Sequence, residues 1–116
     1  MRVDNKVVVA LFHELLDKNF EYYRESLSRV ANNDGDPFAK AREALAQLSE
    51  PDRANIIDFF KVIIADSASV VLGTLDGVHF PGELEGDFTV LYDGVEIQGD
   101  LMDIFVGKAQ QENIYG

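Results

Sequence analysis

The segment from Ser49 to Asp76 constrains the fold more than any other part of the chain. Ser49 can cap a helix, and Asp52, three residues on, is a shorter version of the capping-box partner. Ile56, Phe60, Ile63, Ser67 and Val70 line one stripe; Ile57, Ile64 and Val71 line a second; Phe59 and Val62 widen it. Only Asp58, Lys61 and Ala65 suggest a wet face. A helix apolar nearly all round is packed on several sides, so this helix is expected to be the most buried element. Fraying is expected near Gly73, with Asp76-Gly77 closing the helix.

Two further helices precede it. Val8, Phe12, Leu16, Phe20, Tyr23, Leu27 and Val30 recur in steps of three and four, which predicts a helix from about Asn5 to Ala31. Glu14–Lys18 and Glu25–Arg29 are (i, i+4) pairs on its polar side. Asn32-Asn33-Asp34-Gly35 should stop it, because Asn and Gly tolerate left-handed backbone. Asp36 followed by Pro37 then starts a second helix with Phe38, Ala41, Leu45 and Leu48 as its apolar stripe.

After Gly77 the pattern changes. Val78 to Asp87 mixes Gly, Pro and acids and reads as a loop. Phe88-Thr89-Val90-Leu91-Tyr92 and Val95-Glu96-Ile97-Gln98 flank Asp93-Gly94, the signature of a two-residue hairpin turn. That register pairs Tyr92 with Val95 and Val90 with Ile97. It also gathers Phe88, Val90, Tyr92, Val95 and Ile97 on one face, which must pack on something, since a lone hairpin is marginal in water. From Asp100 to Gln111, Leu101, Ile104, Phe105 and Lys108 fit a short helix capped by Asp100. Ile104-Phe105-Val106 reads equally as a third strand, and the helix is preferred. The expected fold is α+β: a three-helix N-terminal layer on a C-terminal antiparallel hairpin, with a short terminal helix. We expect one domain over residues 1–116, helical to residue 75.

Charge is unevenly divided along this plan. Residues 62–116 hold ten carboxylates and one base, Lys108, for a formal charge of −9, whereas residues 1–61 hold 11 acids and 9 bases. A one-sign field repels nucleic acid and anionic membrane and attracts basic partners. Hydrophobic residues make up 47 % of the chain, which argues against disorder. With no cysteine, thiolate chemistry and disulfides are excluded. Val7 to Phe12 is too short for a secretory signal, and Asp66 interrupts the longest apolar run; a cytoplasmic protein is expected.

Catalytic patterns are sparse. His13 and His79 lack zinc-ligand spacing, and no nucleophile elbow or phosphate-binding loop occurs. The chain is therefore expected not to be an enzyme and to need no cofactor. His13 reads as a helix-flank residue. His79 lies in the acidic loop and would be a pH-sensitive contact. Asn32 to Asp36 resembles a calcium loop only faintly, because the glycine position fails. Glu83, Glu85 and Asp87 alternate, which would set them on one side of an extended chain as a weak divalent site or a solvated acidic face. Asp66, on the helix expected to be most buried, would be a desolvated acid or a flank residue paired with Arg or Lys.

These features favour a binding module that docks a basic protein through its acidic C-terminal half. Glu83, Glu85, Asp87, Asp93, Asp100 and Asp103 would supply charge. Phe80, Tyr92, Phe105 and Tyr115 are candidate anchors. Asp66-Ser67-Ala68, Leu75-Asp76-Gly77 and the hairpin Val90-Leu91-Tyr92-Asp93-Gly94-Val95 resemble small bacterial helix-plus-hairpin proteins, some of them associated with toxin-immunity loci. The resemblance implies an immunity or inhibitor role and supplies no site residue. Two alternatives remain. Val7, Val9, Leu11, Leu15 and Tyr22 lie outside the main stripe of the first helix and would serve a homodimeric adapter. Asp66, Tyr92 and His79 would serve a ligand carrier or small enzyme if a pocket gathered them.

Overall fold

The computed structural model describes residues 2–30 and 35–116. The expected stop at Asn32–Asp34 and most of the calcium-like loop lie outside these residues.

The first helical rod has three parts: α1 (Val3–His13), a π turn (Glu14–Asn19) and α2 (Phe20–Leu27). Backbone angles stay right-handed helical through both junctions, so the rod is continuous. The π turn answers the spacing of the stripe. Val8, Phe12, Leu16 and Phe20 are four apart, and in a straight α-helix twelve residues drift by about 120°. A wider turn with i→i+5 bonds takes up extra residues, and all four side chains are buried. The rod ends earlier than the periodicity predicts. Ser28 Oγ donates to the Arg24 carbonyl at 2.6 Å, and Val30 is 91 % exposed. Lys18 pairs with Glu14 at 3.5 Å as expected, and Arg24 pairs with Glu21.

α3 (Pro37–Ala46) and α4 (Glu50–Leu75) begin as the caps predict. The Asp36 carboxylate accepts the Ala39 amide at 2.8 Å, and Ser49 Oγ accepts that of Asp52 at 3.2 Å. Arg42 ties α3 to the end of α2 by donating to the Ser26 carbonyl at 2.6 Å and to Ser26 Oγ at 3.0 Å. The hairpin β1 (Leu91–Tyr92) and β2 (Val95–Glu96) has the expected register, Tyr92 opposite Val95. Asp93 and Gly94 have φ of 50° and 80°, as a tight turn with two left-handed residues requires. The tail forms α5 (Leu101–Gln111), so residues 104–106 are not a strand.

The architecture is α+β, as expected, but the layering differs. α5 packs against both α1 and α4. One core joins Val8, Phe12, Leu16, Ala65, Leu72, Ile97, Leu101, Phe105 and Ala109. Phe12 meets Phe105 edge-on at 5.4 Å, an arrangement worth ~1 kcal/mol beyond buried area. A second cluster joins Phe20, Leu27, Leu45 and Ile57. The hairpin adds only Ile97 and part of Val90, because its strands are two residues long and α5 carries the larger apolar payload.

The largest correction concerns α4. Its inner face is Ile57, Ala65, Leu72 and Gly73, while Ile56, Phe59, Ile63, Val70 and Val71 are 44–59 % exposed. Ala65, expected on the wet face, is fully buried. Lys61 is drawn in as well, its Nζ 4.9 Å from the centre of the Phe20 ring. Small residues explain the choice of face. A Cβ on Gly73 would lie 2.8 Å from Met102 Sδ, so α5 approaches where side chains are smallest. Gly73 is therefore a packing site and not a point of fraying.

Candidate functional site

The acidic segment leaves α4 through a turn dictated by Gly77, which has φ of 76°. The Val78 and His79 amides both donate to the Gly73 carbonyl, at 2.9 and 3.0 Å. The chain then turns again as the Leu84 amide donates to the Pro81 carbonyl at 3.1 Å. Glu83, Glu85 and Asp87 are all exposed along this loop. Asp93 stands at the hairpin tip and Glu96 on the second strand, both exposed. Asp103 is exposed in the first turn of α5, where an acid suits the helix dipole. These six carboxylates form no ion pair among the described residues, so their charge is not cancelled by the cations of the N-terminal half.

Three other acids of this half are occupied. Asp100 accepts from Arg2 at 3.1 Å, an interaction that raises the Arg2 pKa. Asp100 does not cap α5 with its side chain. That role falls to Asp76, whose carboxylate accepts the Gly99, Leu101 and Met102 amides at 2.6, 3.1 and 2.8 Å. Glu112 pairs with Lys108 at 2.9 Å, and that lysine also lies 5.9 Å from the centre of the Phe12 ring.

Apolar side chains are interleaved with the free acids. Phe80 is 77 % exposed, and Val78, Leu84, Phe88, Leu91, Tyr92 and Val95 are exposed too. The hairpin face expected to pack therefore does so only at Val90 and Ile97. Phe105 is fully buried and cannot serve as an anchor, whereas Phe80, Tyr92 and Tyr115 remain accessible. Phe88 and Val95, expected on the packed face, are surface residues, and sequence reasoning did not single out Leu84. The shortness of the segments between Gly86, Gly94 and Gly99 is the signal that long paired strands would not form.

Asp66 is exposed, not desolvated, because α4 turns it outward. Its neighbour is the Tyr115 phenol, whose pKa is raised by burial first and by the Asp66 charge second. Ser67 is exposed beside it, and the bond to a preceding carbonyl is made instead by Ser69, to Ala65 at 2.8 Å. His79 is exposed just past the turn, and His13 bonds Asp17 at 2.8 Å on the rod surface. Among the surplus apolar residues of the rod, Val7 and Leu15 pack on the core, while Leu11 and Tyr22 are exposed.

Two concavities stand out among the described residues. A polar groove of about 1110 Å³ between α2, α3 and α4 is lined by Arg24, Arg29, Arg42, Arg53 and Lys61 together with Glu21, Glu50 and Asp58. An apolar groove of about 320 Å³ is lined by Tyr23, Leu27, Pro37, Phe38, Phe60 and Ile63, among others. Asp66, Tyr92 and His79 line neither. Among the described residues no three His, Asp or Glu side chains are grouped to hold a metal ion, and no helix is long and apolar enough to cross a membrane. Comparison with protein-family models, curated proteins and solved structures finds no match.

Proposed function

We propose that the protein is a binding module whose acidic loop-and-hairpin surface docks a basic protein partner, in the manner of an immunity or inhibitor protein. The observation that carries this reading is the set Glu83, Glu85, Asp87, Asp93, Glu96 and Asp103, all exposed, without an ion pair among the described residues and mixed with exposed apolar side chains. Exposed like charges without counterions raise the encounter rate with an oppositely charged partner and reject acidic ones. Apolar groups between them supply the contact area that charge alone does not. Phe80 and Tyr92 are the anchors, and Asp100, part-neutralised by Arg2, adds less than the free acids.

Affinity capture with the immobilised chain, repeated at low and raised salt, tests the reading. Captured proteins should be basic, and association should weaken as salt screens the field. The combined substitution Glu83→Lys, Glu85→Lys and Asp87→Lys should slow association about tenfold or more and leave the melting temperature nearly unchanged. Phe80→Ala should instead speed dissociation. A partner that binds the triple variant as fast as the unaltered chain refutes this assignment.

A further inference from the structure

We infer that the outward face of α4 is the seam of a homodimer, in which two α4 helices pack antiparallel about Ile63. Ile56, Phe59, Ile63 and Val70 follow one another by three, four and seven residues on a helix of 26 residues, and each is between 44 % and 57 % exposed. That spacing makes a single stripe along ~21 Å of helix. Apolar residues scattered singly on a surface need no explanation, but a continuous stripe marks a contact. Among the described residues no element covers it: α1, α5 and the π turn meet α4 at Ala65 and Leu72, and α2 and α3 meet it at Ile57, which leaves Ile63 at the edge of the apolar groove.

The surface area agrees. The chain exposes 7871 Å², where a folded monomer of this mass exposes about 6,300 Å². The excess of roughly 1,500 Å² exceeds the ~800 Å² that each partner contributes to a stable interface. The radius of gyration, 17.3 Å, is likewise larger than the ~13 Å expected for this length.

Self-complementarity points to a second copy as the occupant. Antiparallel pairing about Ile63 sets Ile56 opposite the second copy's Val70, and Phe59 opposite its Ser67, large against small. Each side makes the same contacts, as a two-fold interface demands. Asp66 falls about 60° off the line through Ile63, at the rim. The apolar groove beside Phe60 and Ile63 lies along one flank and would be covered at the same time. Charge points the same way: most of the acidic excess lies after residue 75, so the stripe offers little to a basic partner and little repulsion to a copy of itself.

Sedimentation equilibrium of the full chain over a wide dilution series tests the seam. The unaltered chain should reach twice the chain mass. Ile63→Glu, at a site exposed in the single chain, should weaken the dimer at least ~30-fold with helix content unchanged. Should that variant fold poorly, Ser67→Arg makes the same test at an already polar position. Mixing Ile63→Glu with Ile63→Lys should restore the dimer, because in this pairing residue 63 faces its counterpart. The triple charge reversal at Glu83, Glu85 and Asp87 should leave the dimer intact, which separates this test from that of the acidic surface. Single-chain mass at every concentration overturns the proposal. So does a dimer that survives both seam variants, and a mixture that fails to re-pair overturns the register.

Discussion

The Asp76 carboxylate accepts the Met102 amide at 2.8 Å, so the residue that closes α4 also caps the start of α5. The same group holds Gly99 and Leu101. It thereby satisfies donors that α5 leaves open and that Asp100 does not reach. Charge-assisted bonds of this kind are stronger than neutral ones. Asp76→Ala is expected to cost ~1–3 kcal/mol. In a chain of this size that lowers the melting temperature by about 4 °C per kcal/mol. Asp76→Asn, with one acceptor oxygen left, should fall between. Thermal melts read the cost, and hydrogen exchange at the Leu101 and Met102 amides should quicken. A variant melting with the unaltered chain would show that the cap is idle.

The two faces of α4 respond in opposite ways to the same side chain. Ala65→Glu would bury a carboxylate without a partner against Phe12 and Phe105, and the expected outcome is loss of the fold. Ala65→Val only overfills the site, at ~1–3 kcal/mol. Ile63→Glu, two residues earlier, should change single-chain stability by less than about 1 kcal/mol. Urea midpoints measured at high dilution compare the three. Equal tolerance at positions 63 and 65 would contradict the orientation of α4.

Alkaline pH should expose the environment of Tyr115. Burial and the Asp66 charge raise the pKa of its phenol, so the folded chain binds that proton more tightly than the unfolded one. Its contribution is complete below the ordinary tyrosine value of about 10 and is lost as pH rises through the higher folded value. Absorbance titration should find one of the 4 tyrosines ionising late. Tyr115→Phe should flatten the alkaline fall in urea midpoint. A titration in which all four ionise together argues against the Asp66 contact.

How much of this was legible depended on whether the signal was local. Asp36-Pro37 and Ser49 cap their helices as written, because capping involves only the next three residues. Asp93-Gly94 sets the hairpin register for the same reason. The terminal helix was legible from its apolar spacing, but its cap was not, since Asp76 comes from a distant stretch of chain. The orientation of α4 was hidden because almost every face is apolar. Hydrophobicity cannot choose between Ile63 and Ala65, and close approach of α5 chose the smaller. Of the two readings of Asp66, the desolvated acid fell as a consequence, and the flank position held. The exposed acids were legible in composition, and Phe80 and Tyr92 were named with them, while the exposure of Phe88 and Val95 was not legible, because it depended on strands that stay short.

The π turn has a consequence for how one rod serves two cores. Leu16 belongs to the cluster around Phe105 and Phe20 to the cluster around Leu45. The wide turn lies between the two and works as a phase adjuster, resetting the angular count so that both ends address the same neighbour, α4. Insertions or deletions of a single residue elsewhere in the rod would throw the two cores out of step, whereas this stretch already carries the slack.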